Sequence, residues 1–169
     1  TGNLKATRGF QPVNVYQLTD NLPRAWFVDN VKTLEDDKIF KEILDDSFDP
    51  SKYALTSQLV KPPSGKEASI NKIETKLHEI NIQTESKGNQ FLVLSEVYYP
   101  KRWKALINGE SVETIKTNGV LRGLSLPAGN NSITFKFDKA SFNNGLIISL
   151  ISFASTLFLI GFGYYKRKS

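Results

Sequence analysis

The chain has 169 residues, with 22 Lys and Arg against 17 Asp and Glu and no Cys or Met. The missing cysteines exclude disulfides, thiolate nucleophiles and cysteine metal sites, which fits an exported bacterial domain held by its own core. Three of the positive charges are Lys166, Arg167 and Lys168, so residues 1–144 carry 19 basic and 17 acidic side chains, too even a balance for the dense basic face of a nucleic-acid binder.

With Thr at position 1 and no methionine, the chain is expected to be the C-terminal end of a longer protein. About 140 residues before the last segment can bury one core or two small subdomains. Residues 1–12 read as an irregular lead-in, and VNVYQL (13–18) alternates as a strand does. TDNLPR turns the chain into a second β-rich run, AWFVDNVKTL (25–34). Thr33 followed by Asp36 is a capping-box pattern, and Ile39, Phe40, Ile43 and Leu44 fall on one face of the helix it would open. DDSFDP ends that helix because Pro50 disfavours helical geometry at Asp49. YALTSQLV (53–60) is the next strand candidate.

KPPSGKEAS (61–69) concentrates Pro, Ser and Gly and is the expected long loop or subdomain boundary. After it the pattern is nearly all β: KIETKLHEINIQTES (72–86), FLVLSEVYY (91–99), then Trp103–Ile107 and Ser111–Lys116 around Asn108-Gly109-Glu110. Asn-Gly is a strong hairpin signal because both residues tolerate positive φ. GVLRGLSL (119–126) and SITFKFD (132–138) follow, separated by the turn PAGNN. Short strands at intervals of about ten residues predict a mainly β fold, an antiparallel β-sandwich with a short α-helical element, rather than βαβ units.

GLIISLISFASTLFLIGFGYY (145–165) contains no charge. As a helix these residues measure about 31 Å against a hydrocarbon core of about 30 Å, so a transmembrane helix is expected over 141–165. Ser149, Ser152, Ser155 and Thr156 can return their hydroxyls to helix carbonyls. The basic tail 166–169 favours the cytoplasmic side, leaving residues 1–140 extracytoplasmic, and Tyr164 and Tyr165 suit the membrane interface.

Catalytic and metal patterns fail on inspection. His78 has no second histidine and reads as a surface strand residue. Asp45, Ser47 and Asp49 imitate a calcium loop, but Pro50 and Thr56 stand where Gly and Glu are needed. Ser64-Gly65-Lys66 lacks the rest of a phosphate loop, and Asn130-Asn131-Ser132 is a solitary glycosylation sequon. The acids Glu35, Asp36 and Asp37 suit a helix N-terminus, so no catalytic residue, metal or cofactor is expected in this chain. Two clusters combine aromatic and basic groups: Arg24, Trp26 and Phe27, then Tyr98, Tyr99, Lys101, Arg102 and Trp103. Such rings fill a sandwich core, stack on sugar faces or seat at a membrane interface.

NLPRAWFVDNV (21–31), LVLSEVYYPKRWKALINGESVE (92–113) and TNGVLRGLSLPAGNNSITFKF (117–137), followed by one hydrophobic helix, resemble the C-terminal end of the YfhO family of bacterial membrane proteins. The resemblance implies a polytopic GT-C type glycosyltransferase that moves a sugar from a lipid-linked donor onto an extracytoplasmic acceptor. Its catalytic acid would lie in an early exported loop, so no residue here inherits that role. The family pattern reads like tyrosine-proline-glycine-tryptophan, whereas Lys101-Arg102 stands between Pro100 and Trp103 here. Arg122 matches the arginine of the TN...LR stretch, and a strand arginine bracing the sandwich explains it equally well.

The expected function is therefore accessory: an extracytoplasmic domain orienting or binding a glycan or polyprenyl-phosphate-linked sugar in the cell envelope. Trp26, Tyr98, Tyr99 and Trp103 are the expected stacking residues, with Arg102 and Arg122 beside them. Expected partners are the lipid bilayer and upstream transmembrane helices of the same protein, with no nucleic acid. The rival expectation is a non-catalytic structural domain that packs on membrane helices or an envelope protein and touches no sugar.

Overall fold

A computed structural model describes residues 21–65 and 67–168; the lead-in and the strand expected at 13–18 lie outside the described residues. In chain order the elements are β1 (Ala25–Phe27), β2 (Asn30–Thr33), α1 (Asp36–Ile43), β3 (Tyr53–Thr56), β4 (Ala68–Lys76), β5 (Glu79–Ser86) and β6 (Gln90–Val97). They continue as β7 (Trp103–Ile107), β8 (Glu110–Val112), β9 (Ile115–Thr117), β10 (Leu121–Leu126), β11 (Gly129–Phe137) and α2 (Ala140–Lys168).

Two antiparallel sheets face each other, one ordered β1-β6-β10-β9 and the other β4-β5-β11-β7-β8. Side chains on a strand alternate between faces, so one set from each sheet meets in the middle. Leu92, Leu94, Leu124 and Leu126 from the first sheet pack there against Ile80, Ile82, Ile133 and Phe135 from the second. Full burial of each such side chain is worth about 1.5–3 kcal/mol. The expected sandwich is thus present, with the chain passing between its two sheets after β5, β6, β8 and β10.

The first sheet is also covered on its outer face. Phe91 and Val93 of β6 point away from the sandwich interior into a second core with Trp26, Val28 and Ala54. Burial on both faces explains why FLVL is a continuous apolar run rather than an alternating one. The cover is β2–α1–β3, whose two strands pair in parallel. This corrects the expectation of no βαβ unit: parallel neighbours need a crossover, and the short helix supplies it.

The capping-box expectation is also corrected. Thr33 is the last residue of β2, and the residue before the helix is Glu35, which makes no side-chain cap bond. Of the expected apolar face only Ile39 is fully buried, while Phe40 and Leu44 are exposed. The helix stops as anticipated before the aspartates, whose carboxylates accept from Ser47 and Ser51 two residues on.

At the Asn-Gly hairpin Asn108 has φ 53° and Gly109 φ 89°, the conformation that pair was expected to adopt. A second pair, Asn118 and Gly119, has φ 47° and 76° between β9 and β10. KIETKLHEINIQTES is folded back on itself, with Leu77-His78 as the turn between β4 and β5, so His78 is a turn residue rather than a strand residue. In the expected loop, Ser64 is anchored to the sandwich, its N–H donating to Asn89 O at 2.9 Å.

Helix α2 leaves directly from the end of β11. Asp138 Oδ1 accepts the N–H of Ala140 at 2.8 Å at its start. Phe142–Arg167 has mean hydropathy 2.2 and is long and apolar enough to cross a bilayer, and none of that stretch is buried against the rest of the described chain. Ser152, Ser155 and Thr156 each donate a hydroxyl to the carbonyl four residues earlier at 2.9 Å. That satisfies these groups without water.

Candidate functional site

A polar groove of about 370 Å³ opens where the β6–β7 connection passes the end of β8. Tyr98 and Trp103, with Pro100 between them, form its aromatic side, and Ser111, Glu113, Thr114, Gln58 and Lys104 supply polar groups. The connection holds its shape without glycine. The N–H groups of Arg102 and Trp103 both donate to Tyr99 O, at 3.2 and 3.0 Å, and no residue there has positive φ. The turn is therefore closed with Lys101-Arg102 where the family pattern has glycine. Tyr98 is tied to the start of the neighbouring strand β10 by its N–H, which donates to Val120 O at 2.7 Å.

Trp103 is braced from within the sandwich. The Arg122 guanidinium carbon lies 4.6 Å from the Trp103 ring centroid, and Phe137 meets that ring edge-on at 5.5 Å and 73°. Register explains how an arginine comes to be inside. Arg122 shares the inward face of β10 with Leu124 and Leu126, and the irregularity between Leu121 and Arg122 sets it opposite Leu94. It is 3% exposed, its Nε donates to Val97 O at 2.8 Å, and its ring contacts include Phe135 at 5.8 Å. Burial pushes its pKa down and nearby Glu96 opposes that. Glu96 itself pairs with Arg24 on the exposed side.

The six expected site residues are thus divided. Tyr98 and Trp103 share the groove. Tyr99 is half-exposed beside it, and Arg102 instead lines a cleft with His78 and Phe142 near the start of α2. Trp26 is buried in the second core, where its indole N–H donates to Pro50 O at 2.9 Å, so its place is packing rather than stacking. Arg122 does not line the groove and packs on the Trp103 ring. Trp26 and Phe27, neighbours in sequence, separate because successive strand residues point to opposite faces, while Arg24 lies just before β1 and pairs with Glu96.

Gln58, Lys104, Ser111, Glu113 and Thr114 are groove residues that sequence reasoning missed. They are small polar or charged groups at strand ends, where no periodicity marks them. Asn118 was also missed as a structural clamp: its Oδ1 accepts Leu55 N–H and its own N–H donates to Leu55 O, both at 2.8 Å. The Asn-Gly pair at 118–119 was a usable signal for it.

Asp45 and Asp49 form local turns rather than a cation loop. The hydroxyl and N–H of Ser47 hold the Asp45 carboxyl below its usual range, and those of Ser51 do the same for Asp49. His78 stacks on Phe137, with ring centroids 5.9 Å apart. Among the described residues no three His, Asp or Glu side chains converge as a metal site.

Residues 52–149 match the family of the bacterial membrane protein YfhO. That stretch is more than half of the chain and runs from the start of β3 into α2. No curated protein and no solved structure matches the chain.

Proposed function

This chain belongs to the YfhO family of bacterial membrane proteins, and on that premise we propose that its β-sandwich is an extracytoplasmic accessory domain that binds a glycan or lipid-linked sugar beside the membrane. The rest of the protein would be the GT-C type glycosyltransferase to which the sandwich presents that sugar, and the basic end of α2 would lie in the cytoplasm.

The observation that carries this reading is the pairing of Tyr98 and Trp103 in one polar groove. A pyranose has an apolar C–H face and a rim of hydroxyls, so a site for it needs a fixed aromatic surface and convergent hydrogen-bonding groups. Trp103 is fixed by Arg122 and Phe137, and Ser111, Glu113, Thr114 and Gln58 supply donors and acceptors around it. The volume of about 370 Å³ falls in the range of small-molecule sites. Enclosure by β6–β7 and β8 places the groove on rigid strand ends.

The test is a calorimetric screen of glycans and polyprenyl-phosphate sugars against the whole chain in nanodiscs. Saturable binding is expected, lost in Trp103→Ala and weakened in Glu113→Gln while near-ultraviolet circular dichroism stays unchanged. A folded Trp103→Ala chain that binds as tightly as the original would sink the reading. A folded chain that binds no sugar at all would favour packing on membrane helices or an envelope protein instead.

A further inference from the structure

At the end of the sandwich from which α2 departs, the turn between β4 and β5 raises Leu77 into solvent, 87% exposed. A cleft of about 800 Å³ separates this turn from the first turn of α2, with Leu77, His78, Ala140 and Asn143 among its walls. Five basic side chains gather on the walls of this cleft and its neighbour: Lys76, Arg102, Lys104, Lys136 and Lys139. Two acidic groups share these walls, and both are engaged. Asp138 accepts the Ala140 N–H, while Glu79 accepts from Asn81 and lies 3.8 Å from Lys76. Phe142, 72% exposed, stands beside Arg102 and His78.

We infer that this rim is a membrane-docking surface: Leu77 and Phe142 dip into the bilayer interface while Lys76, Arg102 and Lys139 bind the phosphates of anionic phospholipids. The depth follows from the helix. The apolar run begins at Gly145, after Asn143 and Asn144, five residues beyond the first residue of α2, or about 8 Å along its axis. Headgroup layers are about 5–8 Å thick on each side of the hydrocarbon, so the first turn of α2 occupies one. Groups that line a cleft with that turn stand at the same depth or just above it. Basic residues there gain from an anionic surface, roughly fivefold in association for each one close to it. An exposed leucine at the tip adds apolar burial in the same direction. The inference uses neither the groove at Trp103 nor any sugar, and it stands apart from the proposal above.

The chain contains no cysteine, so a single spin label can be placed at will. Leu77→Cys reports on the rim, and Glu110→Cys reports on the opposite end of the sandwich, beside the Asn108-Gly109 turn. The labelled whole chain is placed in nanodiscs of phosphatidylcholine with or without phosphatidylglycerol. The ratio of oxygen to water-soluble nickel accessibility is expected to be several-fold higher at Leu77→Cys than at Glu110→Cys in the anionic discs. It should fall in phosphatidylcholine alone, in high salt, and in the triple variant Lys76→Glu, Arg102→Glu, Lys139→Glu. The lipid and salt comparisons need no charge variant, so misfolding of the triple variant does not decide the matter. Equal values at the two labels, or no change with lipid charge and salt, would overturn the inference. Protection at Leu77→Cys that persists in neutral detergent would assign the rim to a protein partner or a second copy of the chain, and would overturn it as well.

Discussion

The guanidinium carbon of Arg122 lies 4.6 Å from the centroid of the Trp103 ring, against a core cluster of aliphatic and aromatic side chains. An arginine there brings the cost of desolvating a charge. Its return is a fixed indole at the edge of the groove. Arg122→Ala is expected to destabilise the chain by about 2–4 kcal/mol through the cavity it leaves. Arg122→Met, which keeps the stem and removes the charge, should cost less. Urea unfolding followed by tryptophan fluorescence checks both, and in either variant the emission of Trp103 should shift as its bracing is lost.

Gly123 tests how tightly the second core is closed. A methyl group there would approach Thr117 Oγ1 to 2.3 Å and the Phe91 ring to 2.4 Å. Phe91 is fully buried and Thr117 lies on the neighbouring strand, so neither can retreat freely. Gly123→Ala is expected to cost about 1–3 kcal/mol, as overpacking does. A chemical denaturation midpoint equal to that of the original chain would show that this core is looser than described.

Asn118 ties the β2–α1–β3 cover to the main sheet through its paired bonds to Leu55. Removing its side chain leaves the buried Leu55 N–H unsatisfied and places alanine at φ 47°. Asn118→Ala should lose about 1–3 kcal/mol. Asn118→Gly relieves the backbone conformation but not the missing acceptor, and so should recover only part of it. Hydrogen exchange at Leu55 should accelerate in both variants.

Acid should loosen the turn between α1 and β3. The folded-state pKa values of Asp45 and Asp49 are lowered by Ser47 and Ser51. A lowered carboxylate contributes stability that is complete above the ordinary aspartate value of about 3.9 and is lost as pH falls through the folded value. Local opening of this turn is expected on acidification from about pH 5 towards pH 2. Carbon-detected titration of the two carboxyls checks it; ordinary values for both would contradict the turn geometry.

Topology can be read in cells because the chain lacks cysteine. If the sandwich is outside, Glu110→Cys reacts with a membrane-impermeant maleimide added to intact bacteria. Lys166→Cys should react only after permeabilisation. The opposite pattern would reverse the proposed orientation.

What could be read from the residues in order was whatever depends on neighbours in the chain. Twenty-one consecutive uncharged residues allow a bilayer-length helix wherever they are placed. Asn108-Gly109 accepts positive φ by its own chemistry, and the short alternating runs announced an antiparallel β fold. The tertiary structure decided which side of each strand met what. FLVL is apolar on both faces because one side meets the opposite sheet and the other meets the cover, so its pattern alone named neither partner. For the same reason Trp26 and Trp103 looked alike in sequence. One was closed over by β2–α1–β3, while the other, braced by a residue nineteen positions away, lines an open groove with the end of β8. Local conformation is set by bonds along the chain, whereas burial is set by pairings between distant strands, and only the folded arrangement of those strands determines which aromatic surface remains available.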